Sequence, residues 1–155
     1  NEEAAAKLQK SIHGESRTIL NKNALDSGLP DASADKVYGE AMLTMQADSR
    51  KSKIIREANR LLKTGGLYGI HELGLLDVDA ELKKQIQMEL AKTINVNARP
   101  LTEEEWRQVF EKEGFKVLQV YQNPMHLLEP KRMIDDEGIL RTLKIGFNLS
   151  LGNCI

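Results

Sequence analysis

The sequence has a single cysteine, Cys154, and no apolar run that approaches the length of a membrane span. One thiol cannot form a disulfide within the chain, and a membrane-spanning helix needs about 20 consecutive apolar residues. The opening residues, NEEAAAKLQK, also lack the apolar core of a secretory signal. These absences predict a cytoplasmic protein that has no membrane partner.

The chain also lacks an excess of charge of either sign. Its 22 Lys and Arg residues and 23 Asp and Glu residues leave a formal net charge of −1 at pH 7. A domain that neutralises several phosphates normally has a basic excess, so we expect no nucleic-acid partner. With 155 residues, of which 41% are hydrophobic and 29% are charged, the composition predicts one globular domain over residues 1–155.

Side chains that bind metals or act as nucleophiles are few. The histidines His13, His71 and His126 are far apart, and HELGL has Leu75 where the zinc-protease pattern HExxH requires a second histidine. The sequence contains neither a GxSxG elbow nor a GxxxxGK(S/T) phosphate loop. A lone thiol such as Cys154 is more often incidental than activated. We therefore expect no bound metal and no catalytic cysteine.

The spacing of apolar residues predicts alternating helices and strands. Intervals of three and four residues predict helices over 2–12, 48–63, 79–94, 103–113 and 135–149. Short apolar runs predict strands over 17–21, 36–42, 67–73 and 115–121. Strands separated by helices normally lie parallel in one sheet. The order of elements therefore predicts an α/β fold with a mostly parallel sheet flanked by helices.

Two of these helices have end signals in the sequence. Thr102 and Glu105 have the spacing of a capping box, and Leu101 and Trp106 have the spacing of a hydrophobic staple. The pair Gly65-Gly66 follows the second predicted helix. Because glycine adopts the left-handed conformation of a helix C-cap at little cost, we expect this pair to end that helix.

In parallel α/β sheets, ligand sites lie beyond the carboxyl ends of the strands. The segments at these ends are NALDSG, YGEAMLTM, HELGL and YQNPMH. Two of the predicted strands end at a carboxylate, Glu40 and Glu72, and His71 precedes the second. Such a carboxylate can hold a ligand amine, or act as a general base if burial raises its pKa. The alternative is structural, with Glu40 capping the following loop or helix and Glu72 solvated.

The run LPDASADKVYGEAMLTMQADSRKSKIIREANRLLKTGGLYGIHEL resembles the middle of class I S-adenosylmethionine-dependent methyltransferases of the type 11-like group. Members have a pattern close to LPF-x-D-x-SFD-x-V, followed by a helix that ends in R-x-LKPGG. The matching pieces are Leu29-Pro30-Asp31, Ser33-Ala34-Asp35, Val37-Tyr38 and the run from Arg60 to Gly66. Downstream, LTEEEWRQVFEKEGFKVLQV is similar to the next helix and strand of the family, so the resemblance covers roughly residues 20–121.

The resemblance implies that the parent protein binds S-adenosylmethionine, and it assigns residues to that cofactor. Asn23 and Ala24 fall where the family contacts the adenine ring, with Asn in place of the usual Asp. The Asn side-chain oxygen can still accept a hydrogen bond from the adenine amine. Glu40, Ala41 and Met42 fall at the methionine end of the cofactor and at the entrance for the substrate.

The resemblance also implies an activity. His71 and Glu72 would face the acceptor as catalytic residues, and residues 77–99 fall in the variable region where the family builds its acceptor pocket. The implied reaction is transfer of a methyl group from S-adenosylmethionine to a small-molecule acceptor. The alternative is a noncatalytic α/β binding or oligomerisation module derived from a methyltransferase.

Several parts of the family pattern have no counterpart here. The Gly-rich turn after the first strand, the acidic residue that binds the ribose and the last strand are all absent. We therefore expect a C-terminal portion of a methyltransferase domain with a partial sheet, completed by dimerisation or strand exchange in a homo-oligomer. We also expect this portion alone to be inactive and to bind the cofactor poorly.

Overall fold

A computed structural model of the chain describes residues 2–11, 16–94 and 98–124. The helices are α1 (Glu2–Ser11), α2 (Asp48–Leu61), α3 (Ala80–Ile94) and α4 (Glu103–Lys112), and the strands are β1 (Ala34–Glu40), β2 (Leu62–His71), β3 (Gly74–Leu75) and β4 (Leu101–Thr102). All of them belong to the first of two compact units, which cover residues 1–119 and 120–155. Residues 120–124 are the described part of the second unit, and one domain over the whole chain stays a prediction.

β1 and β2 are parallel neighbours in one sheet. α2 lies between them in sequence, so the three elements form one βαβ unit. In this ladder Val37 pairs with Tyr68, and Glu40 pairs with His71. β3 and β4 form a second parallel pair of two residues each. This combination of helices with parallel strands confirms the predicted α/β fold class.

α2 buries the apolar stripe that its sequence spacing predicts. Ile54, Ile55, Ala58 and Leu61 are each at most 9% exposed. Full burial of an aliphatic side chain of this size contributes roughly 1.5–3 kcal/mol relative to exposure, so tertiary packing is the main support of α2. The core cluster joins α2 to the loop after β1 and to α4 through Leu43, Ile54, Ile55, Leu101, Trp106 and Phe110.

α4 begins with the capping box that the sequence predicts. The hydroxyl oxygen of Thr102 accepts a hydrogen bond from the N–H of Glu105, and the Glu105 carboxylate accepts one from the N–H of Thr102 at 2.9 Å. Leu101 and Trp106, the predicted staple pair, are both buried in the core cluster. The indole N–H of Trp106 donates to the carbonyl oxygen of Leu73 at 3.2 Å, which holds the first turn of α4 against the chain after β2.

The prediction that Gly65-Gly66 ends α2 is wrong. α2 ends at Leu61, and β2 begins at the next residue, Leu62, whose backbone is extended (φ −75°, ψ 136°). Gly65 has φ +78° and lies inside β2, close to the point where the register of the β1–β2 ladder shifts. The left-handed conformation of Gly65 therefore belongs to an irregular part of the strand and not to a helix C-cap.

Two predicted strands are not formed. Within the described residues, segments 17–21 and 115–121 belong to no ladder. An apolar run becomes a strand only where a neighbouring strand supplies hydrogen-bond partners, and the sequence of the run does not specify that neighbour. The helix predicted over 135–149 lies outside the described residues.

In the described part of the chain, no helix is both long enough and apolar enough to span a bilayer.

Candidate functional site

The two predicted strand-end residues lie side by side. β1 ends at Glu40 and β2 ends at His71, and these two residues are paired in the ladder. Oε1 of Glu40 is 3.4 Å from Nδ1 of His71. The two side chains are 65% and 74% exposed, respectively. Because the strands are parallel, both groups lie at the carboxyl edge of the sheet, where α/β folds place their ligands.

The chain turns sharply after β1. Ala41 has φ +48°, in the left-handed region that a non-glycine residue seldom occupies. Its N–H donates to the carbonyl oxygen of His71 at 2.8 Å, which continues the contact between the two strand ends by one residue. Backbone strain of this kind costs about 1–3 kcal/mol and persists only where the surrounding structure fixes it.

Glu72 fixes the backbone that follows this turn. One carboxylate oxygen, Oε1, accepts hydrogen bonds from the N–H groups of Met42 at 2.8 Å and Leu43 at 2.6 Å. The other oxygen, Oε2, accepts from both the N–H of Thr44 at 3.0 Å and its hydroxyl at 2.6 Å. Four donors therefore converge on a single carboxylate, and together they replace its hydration.

This geometry settles one of the alternatives left open by the sequence. Glu72 is half buried and hydrogen-bonded to the loop after β1, so the solvated alternative for Glu72 is wrong. To act as a base, Glu72 would have to give up hydrogen bonds to Met42, Leu43 or Thr44. Its position therefore favours holding the loop over accepting a proton, whereas the exposed His71 is accessible to a substrate.

Gly39 and Tyr68 pack closely on the buried face of the sheet. A Cβ atom at Gly39 would lie 3.2 Å from the hydroxyl oxygen of Tyr68 and 3.3 Å from the sulfur of Met42. Burial, together with the nearby negative charge of Glu72, raises the pKa of Tyr68 to about 12. The Tyr68 hydroxyl therefore stays protonated at neutral pH, and the lack of a side chain at position 39 makes room for it.

Asn23 and Ala24, the predicted adenine contacts, are exposed on the loop before β1. Oδ1 of Asn23 accepts a hydrogen bond from the N–H of Leu25 at 3.0 Å, and the N–H of Asp26 donates to the carbonyl oxygen of Asn23 at 3.0 Å. Asn23 thus shapes its own turn. A carbonyl oxygen has a second lone pair, so the predicted contact with an adenine amine stays geometrically possible.

The loop before β1 is held to α2 by a polar network that the sequence reasoning missed. Oε1 of Glu57 accepts from both the N–H of Ser27 at 2.9 Å and its hydroxyl at 2.7 Å. The Arg60 guanidinium binds Glu57 at 2.7 Å and also pairs with Asp31. Hydrogen bonds from Arg60 and Ser27 lower the pKa of Glu57 to about 2. Glu57 and Arg60 are three residues apart on α2, but no local motif predicts their contacts with Ser27 and Asp31, which lie 30 and 29 positions earlier in sequence.

Lys51 was also missed, although the sequence contained a signal for it. Its side chain is 0% exposed, and Nζ donates to Oδ1 of Asp48 at 2.9 Å. Position 51 precedes the buried residues Ile54 and Ile55 by three and four residues. It therefore falls on the apolar stripe of α2, and a lysine at such a position is expected to need a buried partner.

No metal ligand cluster is found in the part of the chain that the structure describes, where no three His, Cys, Asp or Glu side chains are grouped so that they could hold an ion. The sequence-based expectation of a protein without a bound metal stays a prediction.

Sequence comparison places the chain beside one curated relative. No family model matches it. An uncharacterized protein of Haemophilus influenzae (strain ATCC 51907 / DSM 11121 / KW20 / Rd) is 40% identical over 138 residues, which make up 89% of this chain and 52% of the relative. The chain thus spans about half the length of the curated relative that it matches.

Comparison with solved structures places the fold beside those of LaPhzM and PigF with SAH. LaPhzM superposes with a TM-score of 0.58 at 19% sequence identity, over 76% of this chain and 35% of LaPhzM. PigF with SAH superposes with a TM-score of 0.56 at 17% identity, over 77% of this chain and 40% of PigF. The chain therefore shares its fold with these two proteins over the superposed residues.

Proposed function

We propose that the protein transfers a methyl group from S-adenosylmethionine to a small-molecule acceptor. The observation that most supports this is the arrangement at the carboxyl edge of β1 and β2. There the exposed Glu40 and His71 adjoin a backbone turn that Glu72 holds in place. The methyltransferase-like fold, supported by the two solved structures, adds to this argument.

The residues assigned to the cofactor fit it chemically. Glu40 offers an exposed carboxylate to the ammonium group at the methionine end, and Ala41 leaves space beside it. Asn23 and Ala24 offer an amide and a small side chain to the adenine ring. When bound, S-adenosylmethionine supplies an electrophilic methyl group on a sulfonium ion, so the protein needs to contribute alignment and, for a protonated acceptor, a base.

In this mechanism His71 removes a proton from the methyl acceptor. Its imidazole is exposed at the strand end, and Oε1 of Glu40 lies 3.4 Å from Nδ1. A carboxylate next to one ring nitrogen, Nδ1, favours a proton on that nitrogen. The other ring nitrogen, Nε2, is then able to take up the proton of the substrate. Glu72 contributes indirectly, because it holds Met42 and its neighbours next to the cofactor.

Ligand binding tests the proposal on the protein expressed from its complete gene. Isothermal titration calorimetry with S-adenosylhomocysteine should show saturable binding. Ala24→Arg should weaken it by at least about tenfold, because the long side chain occupies the adenine position. The matched control is Ala6→Arg, at an exposed position of α1, which should leave the affinity unchanged. Absence of binding to the unaltered protein would reject the proposal in favour of a noncatalytic module.

We also propose a cytoplasmic homo-oligomer, in which a second copy of the chain covers Tyr38 and Leu67 on the outer face of the β1–β2 sheet and leaves the strand-end pair Glu40 and His71 open. Tyr38 and Leu67 are 68% and 50% exposed. A Cβ atom at Gly69 would meet the ring of Tyr38 at 3.2 Å, so the Tyr38 side chain lies over Gly69, on the face to which Leu67 also points. Light scattering should show a dimer that Leu67→Lys dissociates. A monomer at high concentration would contradict this proposal.

A further inference from the structure

The peptide unit around Arg99 is hydrogen-bonded on both sides. The N–H of Arg99 donates to the carbonyl oxygen of Thr44 at 2.8 Å, and its own carbonyl oxygen accepts from Nζ of Lys51 at 2.8 Å. The neighbours Ala98 and Pro100 are fully buried. This stretch, called here the Arg99 segment (residues 98–100), is therefore fixed both to the loop after β1 and to α2.

Lys51 is a cation enclosed in the core. Besides its bonds to Arg99 and Asp48, its Nζ lies 5.9 Å from the centre of a Trp106 ring. A buried ammonium group is unfavourable unless it is paired and hydrogen-bonded. Because these partners lie in fixed directions, Lys51 determines the position of the Arg99 carbonyl more strictly than an apolar side chain could.

Thr44 joins this arrangement to Glu72. Its N–H and hydroxyl both donate to Glu72, while its carbonyl oxygen accepts from the N–H of Arg99. Thr44 itself is 1% exposed. A continuous set of hydrogen bonds therefore runs from Glu72 through Thr44 and Arg99 to Lys51, with a buried cation at one end and a half-buried anion at the other.

We propose that Lys51 and Glu72 are positioning residues that couple the loop 41–44 to the Arg99 segment. This inference rests on the proposed function, in which loop 41–44 borders the cofactor, and it adds the proposal that the Arg99 segment borders the methyl acceptor. A methyl acceptor that contacts the Arg99 segment then restricts the motion of loop 41–44. Because a coupling free energy acts equally in both directions, cofactor binding at loop 41–44 also restricts the motion of the Arg99 segment.

Amide hydrogen exchange, measured by NMR on the protein expressed from its complete gene, tests the coupling directly. Lys51→Met should accelerate exchange at Leu43 and Thr44 by about tenfold, although Lys51 touches neither amide. Lys53→Met, at an exposed position two residues along the same helix, is the matched control and should change neither rate. In the reverse direction, Glu72→Gln should accelerate exchange at Arg99, and this variant decides the question if Lys51→Met does not fold.

Binding of S-adenosylhomocysteine separates this inference from the proposed function. The coupling predicts that Lys51→Met weakens the binding by at least about fivefold while Lys53→Met does not. Two results together would overturn the coupling. In Lys51→Met, exchange would be faster at Arg99 but not at Leu43 or Thr44. In Glu72→Gln, exchange at Arg99 would be unchanged. Coupled exchange in a protein that does not bind S-adenosylhomocysteine would support the coupling and reject the proposed function.

Discussion

Thr44 makes two hydrogen bonds to the same carboxylate oxygen of Glu72, one from its N–H at 3.0 Å and one from its hydroxyl at 2.6 Å. The two residues are 28 positions apart in sequence. Their contact joins the end of β2 to the loop after β1, because Glu72 directly follows β2 and Thr44 belongs to that loop. The loop thereby keeps one conformation beside the strand-end pair Glu40 and His71.

Replacing the Thr44 hydroxyl should therefore reduce stability. Thr44→Val keeps the shape of the side chain but removes one of the four donors to Glu72, and hydrogen bonds to charged groups contribute about 1.5–3 kcal/mol. We expect urea denaturation of Thr44→Val to show a decrease in the free energy of unfolding within that range. Thr44→Ser, which keeps the hydroxyl and loses a methyl group, should lose less than Thr44→Val. A loss in Thr44→Ser that equals or exceeds the loss in Thr44→Val would show that the hydrogen bond contributes no more than the methyl group.

Glu57 should make the stability depend on pH. Its pKa is lowered from 4.5 to about 2 in the folded chain, so the unfolded state binds more protons between these values. The stabilisation is fully present above about pH 4.5 and is lost as the pH falls through about 2. At roughly 1.4 kcal/mol per pKa unit its upper limit is about 3 kcal/mol, and solvent around the partly exposed Arg60 reduces it.

The measurement compares Glu57→Gln with the unaltered chain by urea denaturation at several pH values. The difference in the free energy of unfolding should be largest near pH 7 and shrink steadily below pH 4.5. Glu111→Gln, at an exposed position of α4, is the matched control and should show no such trend. A difference between Glu57→Gln and the unaltered chain that stays constant down to pH 2.5 would contradict the lowered pKa of Glu57.

Gly114 should not tolerate a side chain. It has φ +87°, and a Cβ atom there would lie 3.0 Å from the amide nitrogen of Asn59. That amide donates to the carbonyl oxygen of Glu113 at 2.7 Å, a contact that holds the end of α4 to α2. Gly114→Ala should therefore lower the melting temperature, with a cost above about 1 kcal/mol.

Two other glycines separate the causes of this loss. Gly28→Ala changes a position with φ +67° and open space, so it should show the backbone cost alone. At Gly74 the space is also open and no positive φ is found, so Gly74→Ala should change stability by less than about 0.5 kcal/mol. If Gly114→Ala were no worse than Gly28→Ala, the contact with Asn59 would have no energetic importance.

His71 should affect the rate of methyl transfer more than cofactor binding. His71→Gln removes the proposed base, and such groups typically contribute about 10²–10⁴-fold to a rate. The assay follows transfer of a radiolabelled methyl group to a panel of small metabolites, with binding of S-adenosylhomocysteine measured in parallel. A loss of affinity that matches the loss of rate would indicate that His71 binds the cofactor instead.

The sequence determined the elements whose signals are local. The stripe of α2 and the capping box of α4 depend on residues three or four positions apart, so their spacing was sufficient to predict both helices. The order of strands and helices predicted parallel pairing, which puts the ends of β1 and β2 at one edge of the sheet, whereas the register that pairs Glu40 with His71 comes from the tertiary structure. The sequence did not determine where each element begins and ends, because a helix can pass directly into a strand, as α2 does at Leu62.

Only the tertiary structure decided how the polar side chains are used. Glu72 reaches amides 28 to 30 positions earlier, and Lys51 reaches a carbonyl oxygen 48 positions later. No local pattern specifies such partners, because they meet only when the apolar faces of α2, α4 and the sheet have packed. For the same reason the apolar run over 115–121 formed no strand: its sequence permits extended backbone, but the neighbouring strand that would pair with it is determined by the fold as a whole.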